Sequence, residues 1–428
     1  MSDIKRFSSE LLGEEYFKTV HKSGLTVCVF PKDMSATYAI LSVNFGGNVT
    51  EYEKNGEKVI LPEGCAHFLE HKLFDNPDGT NADDIFSSFG AYCNAYTSND
   101  KTAYLFSATE NEEKCLEQLI YFVTHPYFTD ATVKKEIGII SQEIRGCIDD
   151  PYDRCYMGML EGMYKNNPVK KEICGSQKSI SRITPEVLYK CCEDFYIPQN
   201  MLLCVSGKLS VETVLDVVDR VLEQRAEPVP RAVGFTEPKC VVSPCVKREM
   251  PVSKPIFTIG VKDTNIPADG YERYKRAQCA NIMLNALFAE SGEFYLKMLD
   301  TGLISPGFDT GYSANESTGY VMMSGESDRP EALLAEIKKH IAAIKKSGID
   351  ISDFNREKKC MYASYISEFD VTEDIAFSLT SYGWERLDLF SYPDLISEIR
   401  YEDVMALCDE MFSEEYFTLS VIYPQREE

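Results

Sequence analysis

The chain has 428 residues, which at about 100 to 200 residues per domain predicts two or three domains. Hydrophobic residues make up 44% and charged residues 26%, a composition that is typical of a globular protein and excludes a disordered or low-complexity chain. The formal net charge of -24 at pH 7 would repel phosphate groups and anionic lipid headgroups, so we expect neither nucleic acid nor a membrane as a partner.

The amino terminus and the cysteines indicate the compartment. Residues 1–10 lack the apolar core of a signal peptide, and no apolar run approaches the roughly 18 residues that a membrane-spanning helix needs. The fifteen cysteines are scattered through apolar stretches such as residues 203–205, which is typical of small buried side chains in a reducing compartment. We therefore expect free thiols and a cytoplasmic protein.

The first half of the chain predicts strands and helices that are interleaved. The strands are predicted at residues 24–31, 38–45, 92–97, 102–108 and 201–206, and the helices at 63–74, 112–123, 130–147, 152–164, 185–195 and 211–224. Because these elements do not alternate strictly as in βαβ units, they favour a mainly antiparallel sheet with helices on one face. The pattern therefore predicts an α+β fold.

A proline-rich stretch separates the two halves. Residues 226–255 contain six prolines and no sustained periodicity, which is typical of a linker. Beyond it, strands are predicted at 256–261 and 319–324, and helices at 271–288, 331–345, 353–369 and 372–387. We place a first domain at residues 1–226, a linker at 227–245 and a second domain at 246–428.

Two segments indicate that the second domain duplicates the first. Residues 185–195 and 402–412 share Val, Cys, Glu and Phe at a constant offset of 217, and a predicted strand follows each segment. The alternative is that two unrelated amphipathic helices agree by chance. The constant offset and the shared following strand favour duplication, so both domains should have a similar fold.

The sequence His67-Phe68-Leu69-Glu70-His71 lies in the helix predicted at 63–74. At about 100° per residue, His67, Glu70 and His71 project from one face of that helix. Two imidazoles at this spacing can bind Zn²⁺ and the carboxylate can act on its water, as in the inverted zincin motif HxxEH. Two surface histidines beside an acidic residue are the alternative, but the apolar flanks predict a buried face, where such groups are costly. We therefore expect one zinc ion per chain.

With this motif the chain resembles the insulinase/pitrilysin-like zinc metallopeptidases, and among them the bacterial cytosolic subgroup with two homologous domains. The family takes its third zinc ligand from a downstream pattern Glu-x6-Glu, which residues 136–143 match. The resemblance implies that Glu143 is the third ligand, while Glu136 lies two helical turns away and more plausibly orients a ligand. A solvated helix face is the alternative for either glutamate.

Residues 90–97 look like the Asn-Ala strand that lies beside the metal in this family. The resemblance implies that Asn94 and Ala95 bind the substrate. An exposed strand edge there could pair with an extended peptide, main chain to main chain. Asn94 could instead be the pivot of a β-bulge.

The resemblance implies a mitochondrial-processing-peptidase-like fold in which one two-domain chain forms half of a clamshell. We expect a zinc metalloendopeptidase that cleaves peptides or small unfolded polypeptides in a closed chamber, with Glu70 as the general base on a zinc-bound water. One alternative is a processing or scaffold subunit of a heteromeric complex, with little activity alone. Another is a zinc hydrolase that acts on a non-peptide amide.

The second domain departs from the family pattern. It contains one histidine, His340, so we expect it to bind no metal. Family members often carry Arg four residues before the glycine that is Gly302 here, and Tyr three residues after it, where this chain has Met298 and Ser305. Neither side chain can donate to an oxyanion as Arg or Tyr can. We therefore expect a heterodimer with a metal-free paralogue, with a homodimer or a weakly active monomer as the alternatives.

Overall fold

The computed structural model describes residues 3–223 and 227–425. The chain forms two compact units, and each includes a segment from the other half of the sequence. The first unit comprises the described residues up to Ile144, those of Glu172–Val233, and Tyr365–Tyr392. The second comprises Arg145–Lys171, Gly234–Ser364 and the described residues from Pro393 onward. Across the described residues, no helix combines the length and the apolar character needed to span a membrane.

Both units are built from short strands and mostly longer helices, whose bounds are as follows. The strands are β1 (Lys5–Ser9), β2 (Glu14–Val20), β3 (Thr26–Pro31), β4 (Thr37–Val43), β5 (Glu51–Lys54), β6 (Glu57–Ile60), β7 (Tyr92–Thr97), β8 (Thr102–Ala108), β9 (Met201–Gly207), β10 (Arg231–Ala232), β11 (Cys245–Met250), β12 (Ile256–Lys262), β13 (Asp309–Ala314), β14 (Gly319–Glu326) and β15 (Phe417–Pro424). The α-helices are α1 (Cys65–Lys72), α2 (Ala82–Ser88), α3 (Glu112–Thr124), α4 (Asp130–Asp149), α5 (Pro151–Met163), α6 (Gln177–Ile180), α7 (Pro185–Phe195), α8 (Val211–Val221), α9 (Gly270–Phe288), α10 (Glu293–Asp300), α11 (Pro330–Ser347), α12 (Ile351–Glu368), α13 (Thr372–Trp384), α14 (Tyr392–Glu398) and α15 (Tyr401–Met411).

The first unit is built on a seven-stranded sheet with the order β1-β2-β3-β9-β4-β8-β7. Only β3 and β9 pair in parallel within this described sheet. Every residue of β4 and β9 is buried, so both faces of the sheet centre are covered. Tyr38 and Ile40 pack with Ala376 of α13, while helix α3 also contacts β4 and β8. The expected α+β layer is therefore present, and α13 adds a helix from the second half of the sequence.

The second unit contains a five-stranded sheet with the order β11-β15-β12-β14-β13. Strands β11 and β15 pair in parallel, and the other neighbours are antiparallel. This arrangement repeats β3-β9-β4-β8-β7 of the first unit strand for strand. Strands β9 and β15 each follow one of the two helices that match at an offset of 217 residues. Helix α7 precedes β9, and helix α15 precedes β15. The two units are homologous in fold, as the duplicated segments predicted.

The structure divides the chain differently from the contiguous segments 1–226 and 246–428. Helix α5 lies in the first half of the sequence but packs on β12 and β15, and it therefore belongs to the second unit. Helix α13 lies in the second half but packs on β4 and β9 of the first. An amphipathic helix can cover either of two similar sheets, so the local sequence pattern does not determine this exchange. The predicted domain end at residue 226 lies outside the described residues.

Most of the predicted strands and helices are present, and the sequence analysis missed several strands. The bounds predicted for 92–97, 102–108 and 185–195 agree with β7, β8 and α7. The helix predicted at 211–224 is α8, which ends at Val221. Its predicted end at residue 224 lies outside the described residues. The missed strands include β1, β2, β13 and β11, the last of which begins at the end of the predicted linker and pairs with β15.

Candidate metal centre

Helix α1 is held in place by the buried side chains of one face. Phe68 and Leu69 are fully buried, whereas the side chains of the HxxEH motif remain partly accessible. The helix follows Gly64, whose φ of +86° is in the left-handed region. A Cβ atom there would lie 2.5 Å from the carbonyl oxygen of Cys174. Only glycine therefore allows the chain to enter α1 so close to this neighbouring segment.

Helix α4 brings Glu143 to the two histidines of α1. One donor atom from each of His67, His71 and Glu143 lies within 4.8 Å of the other two. Nε2 of His67 is 3.2 Å from Oε1 of Glu143, and Nε2 of His71 is 3.7 Å from Oε2. A hydrogen bond from His67 lowers the pKa of Glu143 and outweighs the opposing effect of burial. The structure thus brings together the three side chains predicted as ligands.

The chemistry and spacing of this group fit a zinc ion. Two imidazole nitrogens and one carboxylate oxygen form a ligand set that is common in catalytic zinc sites. Tetrahedral ligands at zinc–ligand distances of about 2.0 to 2.1 Å lie roughly 3.3 Å apart, close to the observed nitrogen–oxygen distances. Nδ1 of His67 is buried, and within the described residues it has no hydrogen-bond partner. The fit to zinc therefore rests on Nε2 of the two histidines and the carboxylate of Glu143, and it does not account for Nδ1 of His67.

Glu136 contacts the outer nitrogen of His71. Its Oε1 lies 3.1 Å from Nδ1 of His71, and the side chain of Lys72 lies 3.8 Å from Oε2. Burial lowers the pKa of His71, but the hydrogen bond and the charge of Glu136 raise it more, so the net pKa is raised. Burial raises the pKa of Glu136, but the same hydrogen bond together with the charges of His71 and Lys72 lowers it more, so the net pKa is lowered. Glu136 is thus placed to hold His71 with Nε2 directed toward Glu143.

Glu70 lies on the face of α1 that carries His67 and His71, and it is held by a residue that the sequence analysis missed. The hydroxyl group of Thr97, at the end of β7, donates a hydrogen bond of 2.5 Å to Oε2 of Glu70. Glu70 forms no ion pair within the described ranges. The strand over 92–97 was predicted, but its packing against α1 depends on tertiary structure.

Strand β7 forms an edge of the seven-stranded sheet, as strand addition requires. Asn94 is exposed and donates from Nδ2 to the hydroxyl of Tyr92 at 2.9 Å, while its Oδ1 accepts from the N–H of Ala95 at 2.9 Å. The pairing with β8 is continuous from Tyr92 to Thr97. The alternative of a bulge at Asn94 is therefore wrong, because no extra residue interrupts the register.

In the second unit, Met298 and His340 pack against neighbouring side chains, and Ser305 lies in a loop. Met298 lies in α10 and is 2% exposed, so its side chain belongs to the core of that unit. Ser305 follows in a loop, where its N–H donates to the carbonyl oxygen of Glu326 at 3.2 Å. The ring of His340 stacks on Phe294, and burial lowers its pKa. These positions present no strong donor in the second unit.

Several proteins of similar sequence are named as zinc proteases or as subunits of a processing peptidase. Residues 61–177 match the family described as insulinase (peptidase family M16), and residues 182–361 match the M16 inactive domain. A Bacillus subtilis protein named as the uncharacterized zinc protease YmfH is 34% identical over 99% of this chain and 100% of its own length. The mitochondrial-processing peptidase subunit beta of Neurospora crassa is 22% identical over 94% of this chain and 87% of its length.

A solved structure agrees with this relationship. The crystal structure of an M16-like peptidase from Alicyclobacillus acidocaldarius superposes with a TM-score of 0.90 at 28% identity, over 99% of both chains. The sequence and fold therefore assign the chain to the insulinase family of zinc proteases, peptidase family M16.

Proposed function

We propose that the chain is a zinc-dependent endopeptidase whose zinc is held by His67, His71 and Glu143. The observation that carries this proposal is the convergence of their donor atoms within 4.8 Å, with Glu70 on the helix face that carries the two histidines. When bound, zinc supplies a Lewis acid that polarises a carbonyl group and lowers the pKa of water. Glu136 holds His71 from behind and keeps its second ring nitrogen free for the metal.

Glu70 is proposed as the general base. Thr97 occupies its Oε2, which leaves Oε1 to accept a proton from the attacking water. The protonated carboxyl group then returns that proton to the amine that leaves when the peptide bond breaks. Glu70 forms no described ion pair with a Lys or Arg side chain, so its second oxygen is not engaged by one.

The substrate is proposed to bind as an additional strand along β7. Asn94 and Ala95 lie on this edge, where backbone groups are not used by a neighbouring strand. Asn94 accepts the N–H of Ala95, so an incoming peptide would replace this side-chain contact with a backbone carbonyl. Recognition through the main chain would tolerate different side chains, which suits peptides and small unfolded polypeptides.

Metal analysis and cleavage assays test the site assignment together. We expect Glu70→Gln to retain zinc and lose hydrolysis, because the amide preserves the shape but cannot accept the proton. His71→Ala and Glu143→Ala should lose zinc. Full zinc occupancy in His71→Ala, or wild-type turnover in Glu70→Gln, would contradict the proposal. A library of peptides read by mass spectrometry would define the cleavage sites, and a library of non-peptide amides tests the alternative substrate class.

The active form is proposed to be a heterodimer with a metal-free paralogue that closes the chamber. In this chain Met298 is buried and Ser305 offers only a short hydroxyl, where related proteins place Arg and Tyr. Each missing donor to an oxyanion could cost on the order of 10² in rate. A partner with Arg and Tyr at these positions would restore both donors.

A processing or scaffold subunit is the second candidate function. It is favoured by the similarity to a protein named as the beta subunit of a processing peptidase. The mass of the purified chain in solution and its peptidase activity per zinc ion, with and without the paralogue, distinguish the possibilities. Strong hydrolysis by a homodimer would contradict the heterodimer, whereas activity that appears only on adding the paralogue would support it.

We also propose the cytoplasm as the compartment of this chain. Its fifteen cysteines are all free thiols in the described structure, and most are buried. Such a set of thiols is expected where glutathione and thioredoxin keep cysteines reduced. Cell fractionation followed by thiol labelling under denaturing conditions tests this, and a disulfide-linked or exported form would contradict it.

A further inference from the structure

We propose that Thr97 is a positioning residue that fixes the orientation of Glu70 through its hydroxyl group. This inference rests on the proposed function, because it gives Thr97 a role only through the general base. The experiment below is chosen so that either proposal can fail without the other.

The direction of the hydrogen bond follows from the chemistry of the two groups. An ionised carboxylate can only accept, so the Thr97 hydroxyl donates to Oε2 of Glu70 across 2.5 Å. No Lys, Arg or His forms an ion pair with Glu70 in the part of the chain that the structure describes. The threonine hydroxyl thus holds one carboxylate oxygen and leaves the other available for a proton.

The hydroxyl proton of Thr97 is available to Glu70 because the neighbouring Thr102 donates its own proton elsewhere. Thr102 pairs with Thr97 across the β7–β8 hairpin, and their hydroxyl oxygens are 3.4 Å apart. The Thr102 hydroxyl donates its one proton to the carbonyl oxygen of Phe45 at 2.8 Å. It therefore has no second proton to direct at Thr97, and the Thr97 proton serves the Glu70 carboxylate.

The hairpin turn fixes the backbone position of Thr97. The N–H of Ser98 donates to the carbonyl oxygen of Lys101 at 2.8 Å, and the N–H of Gly47 donates to the carbonyl oxygen of Ser98 at 2.9 Å. A Cβ atom on Gly46 would lie 2.5 Å from backbone atoms of Asp100 and Lys101. This close packing holds the turn against the loop after β4, and the β-branched side chain of Thr97 has few alternative rotamers.

Two buried tyrosines lie within reach of the charge of Glu70. The hydroxyl groups of Tyr104 and Tyr196 are fully buried and lie 2.9 Å apart. Burial raises the pKa of both tyrosines well above the usual value, and the negative charge of Glu70 raises it further. The charge of Glu70 thus acts on a buried pair of phenol groups that stays neutral.

Two substitutions of Thr97 separate its hydroxyl from its shape. Thr97→Val keeps the branched side chain and removes the donor, and Thr97→Ser keeps the donor. In the zinc-loaded full-length chain, assayed with its partner where turnover requires one, we expect Thr97→Val to lower kcat about 10- to 100-fold and KM to change less than about twofold. Thr97→Ser should restore kcat to within about threefold of wild type. Zinc content should be unchanged in both variants.

A matched control and a direct structural measurement complete the test. Thr37→Val removes a buried hydroxyl from β4 of the same sheet, where it accepts from the N–H of Lys208, so it should lower stability without lowering kcat per zinc ion. A crystal structure of Thr97→Val should show Glu70 turned away from its present orientation. This measurement decides the question even where turnover is too slow to measure.

The possible outcomes distinguish the two proposals. Wild-type kcat in Thr97→Val together with an inactive Glu70→Gln would overturn the positioning role and leave the proposed function intact. Full activity of Glu70→Gln would overturn the proposed function. A loss of kcat in Thr97→Val that Thr97→Ser does not recover, or a Glu70 orientation that is unchanged without the hydroxyl, would also contradict the role of Thr97.

Discussion

The substitution Glu136→Gln tests how far zinc affinity depends on a residue outside the ligand set. Glu136 is 9% exposed, and its carboxylate lies 3.1 Å from Nδ1 of His71, the nitrogen opposite the one that faces Glu143. Glutamine has the same length and can still accept a hydrogen bond, but it lacks the negative charge. The imidazole would then be a weaker base and less firmly oriented.

The expected loss is intermediate between that of a ligand and that of a surface residue. Outer partners of metal-bound histidines typically contribute 10- to 100-fold in affinity, which corresponds to about 1.4 to 2.7 kcal/mol. We therefore expect Glu136→Gln to bind zinc about 10- to 100-fold more weakly, whereas Glu143→Gln should lose far more. Competition with a chromogenic chelator measures these affinities without any need for peptidase activity.

An exposed glutamate supplies the control. Glu117 on α3 is half exposed and pairs with Arg220, so Glu117→Gln should leave zinc affinity unchanged. Wild-type affinity in Glu136→Gln would refute the argument that this carboxylate orients His71. A complete loss of zinc, equal to that of His71→Ala, would instead show that Glu136 binds the metal itself.

Two further predictions concern stability. Asp263 is buried and accepts hydrogen bonds from Arg276 at 2.7 Å and from Tyr312 at 2.6 Å. Burial raises the pKa of Asp263, but these partners lower it more, so the net pKa is lowered. The stabilising effect of the carboxylate is therefore complete above the unfolded pKa of about 3.9, and it is lost as the pH falls through the folded pKa. Asp263→Asn should therefore cost about 3 to 5 kcal/mol at pH 7 in urea unfolding and less in acid, and a cost independent of pH would contradict this. Gly64→Ala should cost about 2 kcal/mol or more, because of the positive φ and the contact with Cys174, and unchanged urea unfolding would refute it.

Local rules were sufficient for the helix that carries the motif. The spacing of His67, Glu70 and His71 fixes their common face once the segment is helical, because helix geometry is local. The structure shows that helix as α1, with its apolar neighbours Phe68 and Leu69 buried as expected. No comparable rule places α4 beside α1, so the position of Glu143 was predicted from the family pattern.

Thr97 illustrates what local patterns leave open. Alternation along β7 places Asn94 and Thr97 on opposite faces of the strand, but it does not tell which face meets α1. That choice depends on how the helix packs on the sheet. The signal was present in the sequence as a β-branched hydroxyl residue at the end of a predicted edge strand, yet only the fold connects it to Glu70.

The missed strands have physical reasons as well. Strand β11 lies in the proline-rich stretch and carries adjacent charges at Lys247, Arg248 and Glu249, which hide its alternation. It is stabilised by parallel pairing with β15, far away in sequence. Parallel pairing is non-local by nature, so the propensity of a single segment could not predict it.

The duplication shows why backbone topology alone does not determine which unit carries the chemistry. The sheet orders β3-β9-β4-β8-β7 and β11-β15-β12-β14-β13 place corresponding strands at corresponding positions, including the edges β7 and β13. Between β4 and β7 along the chain, the first unit has α1 with its two histidines. Between the equivalent strands β12 and β13, the second unit has α9, which contains no histidine. The same scaffold could orient a metal site in either unit, so the difference lies in a few side chains, which the first unit carries on α1 and α4. A role of the second unit in catalysis must therefore act through the surfaces it presents to substrate or partner.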